Sequence, residues 1–281
     1  MARLKTLYVS DMDGTLLSSD SRVSARTAAI ISDLSAAGAM ITVATARTPA
    51  TVVPLLADTR IGVDAVVMTG AAMWSRSRDA FGEVHAIPED HVVRTLDLCR
   101  HHDIHPFVYV IAPDGRTLDV YHGAKAFNKA EEGFYLERRK LTLKRFHLGQ
   151  PAPARALHSS LLFYAMGPAE AIAPLADKLR EQTDCSVSCY PDIFNPAIAN
   201  LEILAPGVSK AAAIKLLAAQ TGAQRIVVFG DNLNDLPMFA IADTAVAVGN
   251  AMPQVKEAAD IIIEPNYTDS VARFIAADFA S

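Results

Sequence analysis

Cysteine is scarce in this chain: Cys99, Cys185 and Cys189 are the only three in 281 residues. So small and uneven a set excludes a disulfide framework, and the odd count leaves at least one free thiol. Both features point to a reducing cytoplasm. Neither sign of charge dominates: 26 basic residues stand against 31 acidic ones, for a formal charge of −5. That balance gives no general attraction to nucleic acid or to an anionic membrane surface, so neither is an expected partner. Long apolar runs are missing as well. The most continuous stretch, 157–176, contains His158, Ser159, Ser160 and Glu170 and falls short of the ~18 uninterrupted residues of a membrane span. Near the start, Arg3 and Lys5 precede an apolar stretch that Asp11 cuts before an export signal could form. There is no internal repeat and no low-complexity tract. With 51% hydrophobic and 20% charged residues, what remains is a soluble, folded chain long enough for two domains.

The elements alternate. Thr6–Ser10 is a short apolar run of strand formers that stops at the loop residues Asp11-Met-Asp-Gly-Thr15. Residues 24–37 carry Ile30, Ile31 and Leu34 at helical spacing, with Gly38 as a stop, and 40–44 return to a strand pattern. Thr48-Pro49 opens another helix, and 65–69 is a further buried-strand pattern. After residue 197 the alternation resumes: 201–204 as strand, 209–219 as capped helix, 225–229 as strand into Gly230-Asp231, and 244–248 as strand. Strands alternating with helices imply a mostly parallel sheet covered on both faces.

Between these halves the texture changes. Residues 106–111 and 117–121 flank Pro113-Asp-Gly-Arg116, a turn sequence suited to an antiparallel hairpin. Helical patterns follow at 89–102 and 168–182. The expected fold is therefore α/β: a Rossmann-like parallel-sheet core, 1–82 with 197–281, into which a smaller α+β domain, 83–196, is inserted.

Ligands of open parallel sheets bind beyond the carboxyl ends of the strands. Asp11 and Asp13 follow the first strand, Thr45 and Arg47 the second, and Asp231, Asn234 and Asp235 a later one, while Lys210 stands near a helix start. Converging carboxylates repel unless a cation sits among them, and hard oxygen ligands without His or Cys favour Mg2+. Such a site would hold a phosphate oxygen beside Asp11. An aspartate can serve as nucleophile, and a second carboxylate two residues on, Asp13, can protonate the leaving alkoxide and then activate water. Lys210 and Thr45 could stabilise the transferring group.

These residues also resemble a known group, the haloacid dehalogenase superfamily of phosphatases, through Asp11-Met-Asp-Gly-Thr-Leu-Leu17 and Gly230-Asp-Asn-Leu-Asn-Asp235. Ala44-Thr-Ala-Arg47 is similar to the family's second motif, Val208-Ser-Lys210 to its third, and Ala247-Val-Gly-Asn-Ala251 to the segment after its fourth. The order looks like the Cof-type subfamily, whose α/β cap is inserted between the second and third motifs. The resemblance implies Asp11 as nucleophile, Asp13 as acid/base, and Thr45, Lys210 and Asn234 as phosphate ligands, with the backbone N–H of Ala46 and a weaker role for Arg47. It implies a magnesium site made by Asp11, the backbone carbonyl of Asp13, and Asp231, with Asp235 orienting the loop or metal-bound waters. Small phosphorylated metabolites, sugar phosphates foremost, are the implied substrates. Three positions depart from the subfamily: Ala46 and Ala211 replace glycines, and Thr69-Gly70 stands where asparagine-glycine is usual.

Two alternatives stay open: a phosphotransferase or mutase of the same superfamily, and a signalling receiver with an acidic magnesium pocket. Asp13 speaks against the receiver, because it would turn over a phosphoaspartate that a receiver preserves. His101, His102 and His105 sit at a helix end, where dipole and solvation account for them. Cys185 and Cys189 read as small core residues. Tyr121, His122, Lys125, Arg138, Arg139 and Lys140 could meet a substrate, but a solvated basic face is the plainer account.

Overall fold

A computed structural model describes residues 4–124, 126–192 and 195–280, so Lys125 lies outside the described residues. The chain divides into two compact units, Met1–Arg78 with Ser209–Ser281, and Asp79–Val208.

The first unit is built on a parallel sheet with the strand order Ile261–Ile262, Thr244–Ala247, Arg225–Gly230, Thr6–Ser10, Met40–Val43. Its two central strands, Thr6–Ser10 and Arg225–Gly230, are apolar through their middles, and Leu7, Val9, Val227, Val228 and Phe229 are fully buried. That is the pattern of strands covered on both faces. The helix Ala25–Ala36 begins at Ser24, whose hydroxyl accepts from Thr27 N, and Lys210–Thr221 begins at Ser209, whose hydroxyl accepts from Ala212 N. Each cap satisfies an otherwise orphan donor. Gly222, in the left-handed region at φ 67°, ends the second of these helices.

Register aligns the functional edge. Ser10 pairs with Phe229 on one side and Val43 on the other, so the residues just beyond three neighbouring strands, Asp11, Thr45 and Asp231, leave the sheet together at its carboxyl end.

The expected strand 65–69 is shorter, Ala65–Val67. It stops because Met68 and Thr69 take left-handed φ values of 52° and 58°, and their N–H groups turn back to Arg47 O and Thr45 O at 2.9 and 3.0 Å. The chain then returns as an antiparallel strand, Ala72–Ser75.

The second unit holds a six-stranded sheet in the order Ser186–Pro191, Ile198–Leu204, Ser160–Pro168, Phe107–Ile111, Leu118–His122, Lys144–Leu148. All pairs are antiparallel except the last. Helices Glu89–His101 and Ala169–Gln182 turn buried apolar residues, among them Val92, Leu98, Ile172 and Leu179, toward the interior. A third helix, Lys129–Arg138, opens with a reciprocal cap between Asn128 and Glu131.

The stretch 197–208, expected in the first domain, lies in the second unit, and so do residues 79–82. Ile198–Leu204 is paired on both sides within the six-stranded sheet. An apolar run predicts a strand but not which sheet receives it, and here antiparallel neighbours on either side decide the matter. His122, expected on a solvated face, is wholly buried and packs at 4.5 Å, ring centre to ring centre, against Phe107.

Candidate active site

Every group of this site lies in the first unit. Asp11 follows the strand Thr6–Ser10, its N–H still bonded to Phe229 O at 3.0 Å, and is 7% exposed. The chain then turns tightly through Met12–Leu16. Gly14 takes φ 75°, and a Cβ there would run into the Asp231 carboxylate, so both backbone and space require glycine. Gly230 meets the same limit on the neighbouring strand, where a Cβ would stand 2.7 Å from Asp235 Cβ. Thr15 donates its hydroxyl to Asp231 Oδ1 at 2.8 Å, and Asn250 donates to Gly14 O at 2.7 Å.

Asp11, Asp231 and Asp235 each bring one carboxylate oxygen to within 4.8 Å of the others. Lys210, in the first turn of its helix and 4% exposed, donates from Nζ to Asp11 Oδ1 at 2.5 Å and to Asp235 Oδ1 at 3.1 Å. A cation at a helix N-terminus opposes the dipole; these two carboxylates hold it there. Asp235 Oδ2 in turn accepts from the N–H groups of Asp231 and Asn232 at 3.0 and 3.2 Å.

Fully ionised, the three carboxylates against one ammonium would carry a charge of −2 in a largely buried place. The titration behaviour reflects it. Burial pushes Asp11 up to about 7, with Lys210 opposing and Asp235 adding to the shift. Burial likewise pushes Asp231 up to about 6, against the Thr15 hydrogen bond and with Asp235 adding. Burial works against the charge on Lys210, but Asp11 and Asp235 outweigh it and the net shift is upward. A divalent cation bound by hard oxygen ligands would cancel the residual charge, so the donor set fits Mg2+.

Asp13 does not join this cluster. Its exposed carboxylate takes a two-pronged pair of hydrogen bonds from Arg47, Nε to Oδ2 at 2.7 Å and Nη2 to Oδ1 at 2.6 Å. Thr45 is 2% exposed; its hydroxyl accepts from Arg47 N at 3.1 Å, while Ala46 beside it is exposed.

A model of the haloacid dehalogenase-like hydrolases matches residues 8–275. The chain belongs to that family. A haloacid dehalogenase-like hydrolase is an enzyme, and relatives aligned along most of this chain are phosphatases. A Bacillus subtilis 5-amino-6-(5-phospho-D-ribitylamino)uracil phosphatase is 25% identical over 272 residues, covering 96% of this chain and 94% of its own. A Serratia proteamaculans HMP-PP phosphatase is 29% identical over 251 residues, covering 88% and 84%. Among solved structures, a haloacid dehalogenase subclass IIB sugar phosphatase superposes with a TM-score of 0.71 at 22% identity, covering 97% of this chain and 98% of that one. This last likeness establishes the fold.

Within this hydrolase, the structure brings together Asp11, Asp231, Asp235 and Lys210. It sets Thr45, Ala46 and Arg47 on the adjoining strand end, with Arg47 gripping Asp13. Asn234 is exposed on the turn Leu233–Asp235, and no hydrogen bond among the described residues ties it to the cluster. The histidines 101, 102 and 105 belong to no metal-holding group among the described residues. Sequence reasoning missed three supports: Thr15, Asn250 and the Asn232 cap. Thr15 and Asn250 lay inside motifs already singled out, but only the fold shows which atoms they hold.

Proposed function

We propose that this hydrolase is a magnesium-dependent phosphatase of small phosphorylated metabolites, working through a phosphoaspartate on Asp11. The observation that carries the reading is the buried Asp11 carboxylate, bonded to Lys210 within a cluster of three carboxylates. In this reading one Oδ of Asp11 attacks phosphorus, the bond from phosphorus to the ester oxygen breaks, and Asp13 gives its proton to the departing alkoxide. Asp13 then takes a proton from water as that water attacks the phosphoaspartate, releasing inorganic phosphate and restoring Asp11. Lys210 and the hydroxyl of Thr45 offset the charge spread over the phosphoryl oxygens, helped by the Ala46 N–H and by Asn234. Arg47 grips the ionised form of Asp13, the form that takes a proton from water, and releases an oxygen when Asp13 carries the proton it gives to the alkoxide. Asp11 and Asp231 would hold the metal, with the Asp13 carbonyl, and with Asp235 fixing the loop around it. When bound, Mg2+ supplies charge neutralisation and a ligand site for a phosphate oxygen.

Sugar phosphates are the foremost substrate class, and the relatives' phosphorylated ribitylaminouracil and HMP-PP widen it to other small phosphoesters. The second unit, Asp79–Val208, serves as the cap that selects among them. The free thiols Cys99, Cys185 and Cys189 suit a reducing cytoplasm, and no helix among the described residues is long and apolar enough to cross a membrane. Neither nucleic acid nor membrane is a partner in this reading.

The test is phosphate release from a panel of sugar phosphates, pyridoxal phosphate and flavin mononucleotide, with Mg2+ and with a chelator. Metal-dependent release is expected. Appearance of a new phosphoester when a sugar acceptor is added would instead identify a phosphotransferase.

A further inference from the structure

A groove of about 710 Å3 opens on the first unit. Its walls include Ser32 and Asp33 of the helix Ala25–Ala36, Asp58 and Arg60 of the loop after the helix Pro49–Leu55, and Arg76 and Ser77 beyond the strand Ala72–Ser75. Two of these residues are fixed by the backbone around them. Arg76 donates from Nη1 to Leu56 O at 2.8 Å and also to Thr59 O, so its guanidinium is anchored where the helix Pro49–Leu55 ends. Arg60 donates its backbone N–H to Ser32 Oγ at 2.9 Å, which ties the loop to the first helix.

The two arginines are short of counter-charge. Nε and Nη2 of Arg76 make no hydrogen bond among the described residues, nor does the guanidinium of Arg60, and no carboxylate among them pairs with either. Asp33 and Asp58 line the same groove but stand beyond ion-pair distance of both. The charge that acts on Arg76 is Arg60 itself: burial first, then this like charge, lowers Arg76 from the ordinary arginine value, although a guanidinium keeps its proton throughout. A dianion between the two would replace their repulsion by charge-assisted hydrogen bonds, and the Nε and Nη2 edge of an anchored guanidinium suits two oxygens of one phosphate. A single carboxylate would neutralise only one of them. Nothing in the phosphatase reading uses this groove, and nothing that follows depends on that reading.

We infer that the groove is a second ligand site of the first unit, which takes a phosphate group between Arg60 and Arg76, either as the free anion or as the end of a phosphomonoester. Arg76 supplies the preorganised fork and Arg60 the second charge. Asp33 and Asp58 repel an anion from their side of the groove and so confine the phosphate to the arginine side.

The test is a titration of the full-length, isotope-labelled protein in chelator, with inorganic phosphate in one arm and glycerol phosphate in the other, at constant ionic strength so that general screening does not change. Chelator keeps Mg2+ from drawing either compound to Asp11. The probe is the Nε–H resonance of Arg76, identified as the one that Arg76→Lys removes. It should shift saturably in the millimolar range, and the arm that responds names the source of the phosphate group. Arg60→Gln, at an exposed position, should raise the apparent Kd at least about fivefold, the loss of one charge-assisted contact. No saturable shift in either arm, or a Kd that Arg60→Gln leaves as it was, would overturn the inference.

Discussion

Lys210 and Asp11, 199 residues apart in the chain, form a buried ion pair with Nζ to Oδ1 at 2.5 Å. The same ammonium reaches Asp235 at 3.1 Å, so one cation ties a helix start to a strand end and to the turn Leu233–Asp235.

Removing that cation leaves Asp11 and Asp235 buried, with half-buried Asp231 beside them and no partner charge. Lys210→Met should therefore lower stability by about 3–5 kcal/mol, the usual effect of breaking a buried pair from one side. Urea unfolding in chelator measures it. Added Mg2+ should recover part of the loss, and a variant as stable as the parent without metal would contradict the electrostatic account.

Asp11→Asn should abolish turnover, by roughly 10³-fold or more, with the fold intact. The amide is nearly the same size and removes a charge that burial opposes. Circular dichroism and phosphate release check the two halves; near-parental rates would remove Asp11 from its role.

Much of this site could be read along the chain where its parts are consecutive. Asp11, Asp13 and Gly14 crowd one turn, and Asp231 and Asp235 another, so chemistry and order pointed to them. The links between turns could not be read so. Lys210 meeting Asp235 and Thr15 reaching Asp231 depend on strand register, which no local pattern encodes; that Arg47 pairs with a carboxylate could be read, but not that the carboxylate is Asp13. Ile198–Leu204 shows the same limit in the fold, since its apolar run suits either sheet. His122 and Lys144 show another: polar side chains are usually solvated, and only packing reveals the exceptions.

Stability without metal should fall as pH rises. Burial first, with Asp235 contributing in each case, puts Asp11 at about 7 and Asp231 at about 6, both above the ~3.9 of an unfolded aspartate. The folded chain thus keeps protons that the unfolded chain has lost. That contribution is complete below pH ~4 and is lost as pH climbs through 6 and 7. A divalent ion needs the ionised forms, so its stabilisation grows across the same window. The Tm difference between Mg2+ and chelator should be small near pH ~5 and large near pH ~8; an equal difference at both would contradict this.

Thr69 holds φ 58°, a strained conformation for a β-branched residue. Thr69→Asn should relieve it and raise stability by about 1 kcal/mol, since asparagine tolerates the left-handed region. Thermal unfolding tests this, and a lower Tm would show that the threonine makes a compensating contact.

The most direct test of the phosphoaspartate itself is acid quenching of the Asp13→Asn variant during turnover of a sugar phosphate with Mg2+, followed by borohydride reduction and peptide mapping. Loss of the acid/base should slow breakdown of the intermediate, so the account predicts that Asp11 is recovered as homoserine, the reduction product of an acyl phosphate, and that chelator prevents it. Unaltered Asp11 throughout, in a variant that still releases phosphate, would contradict it.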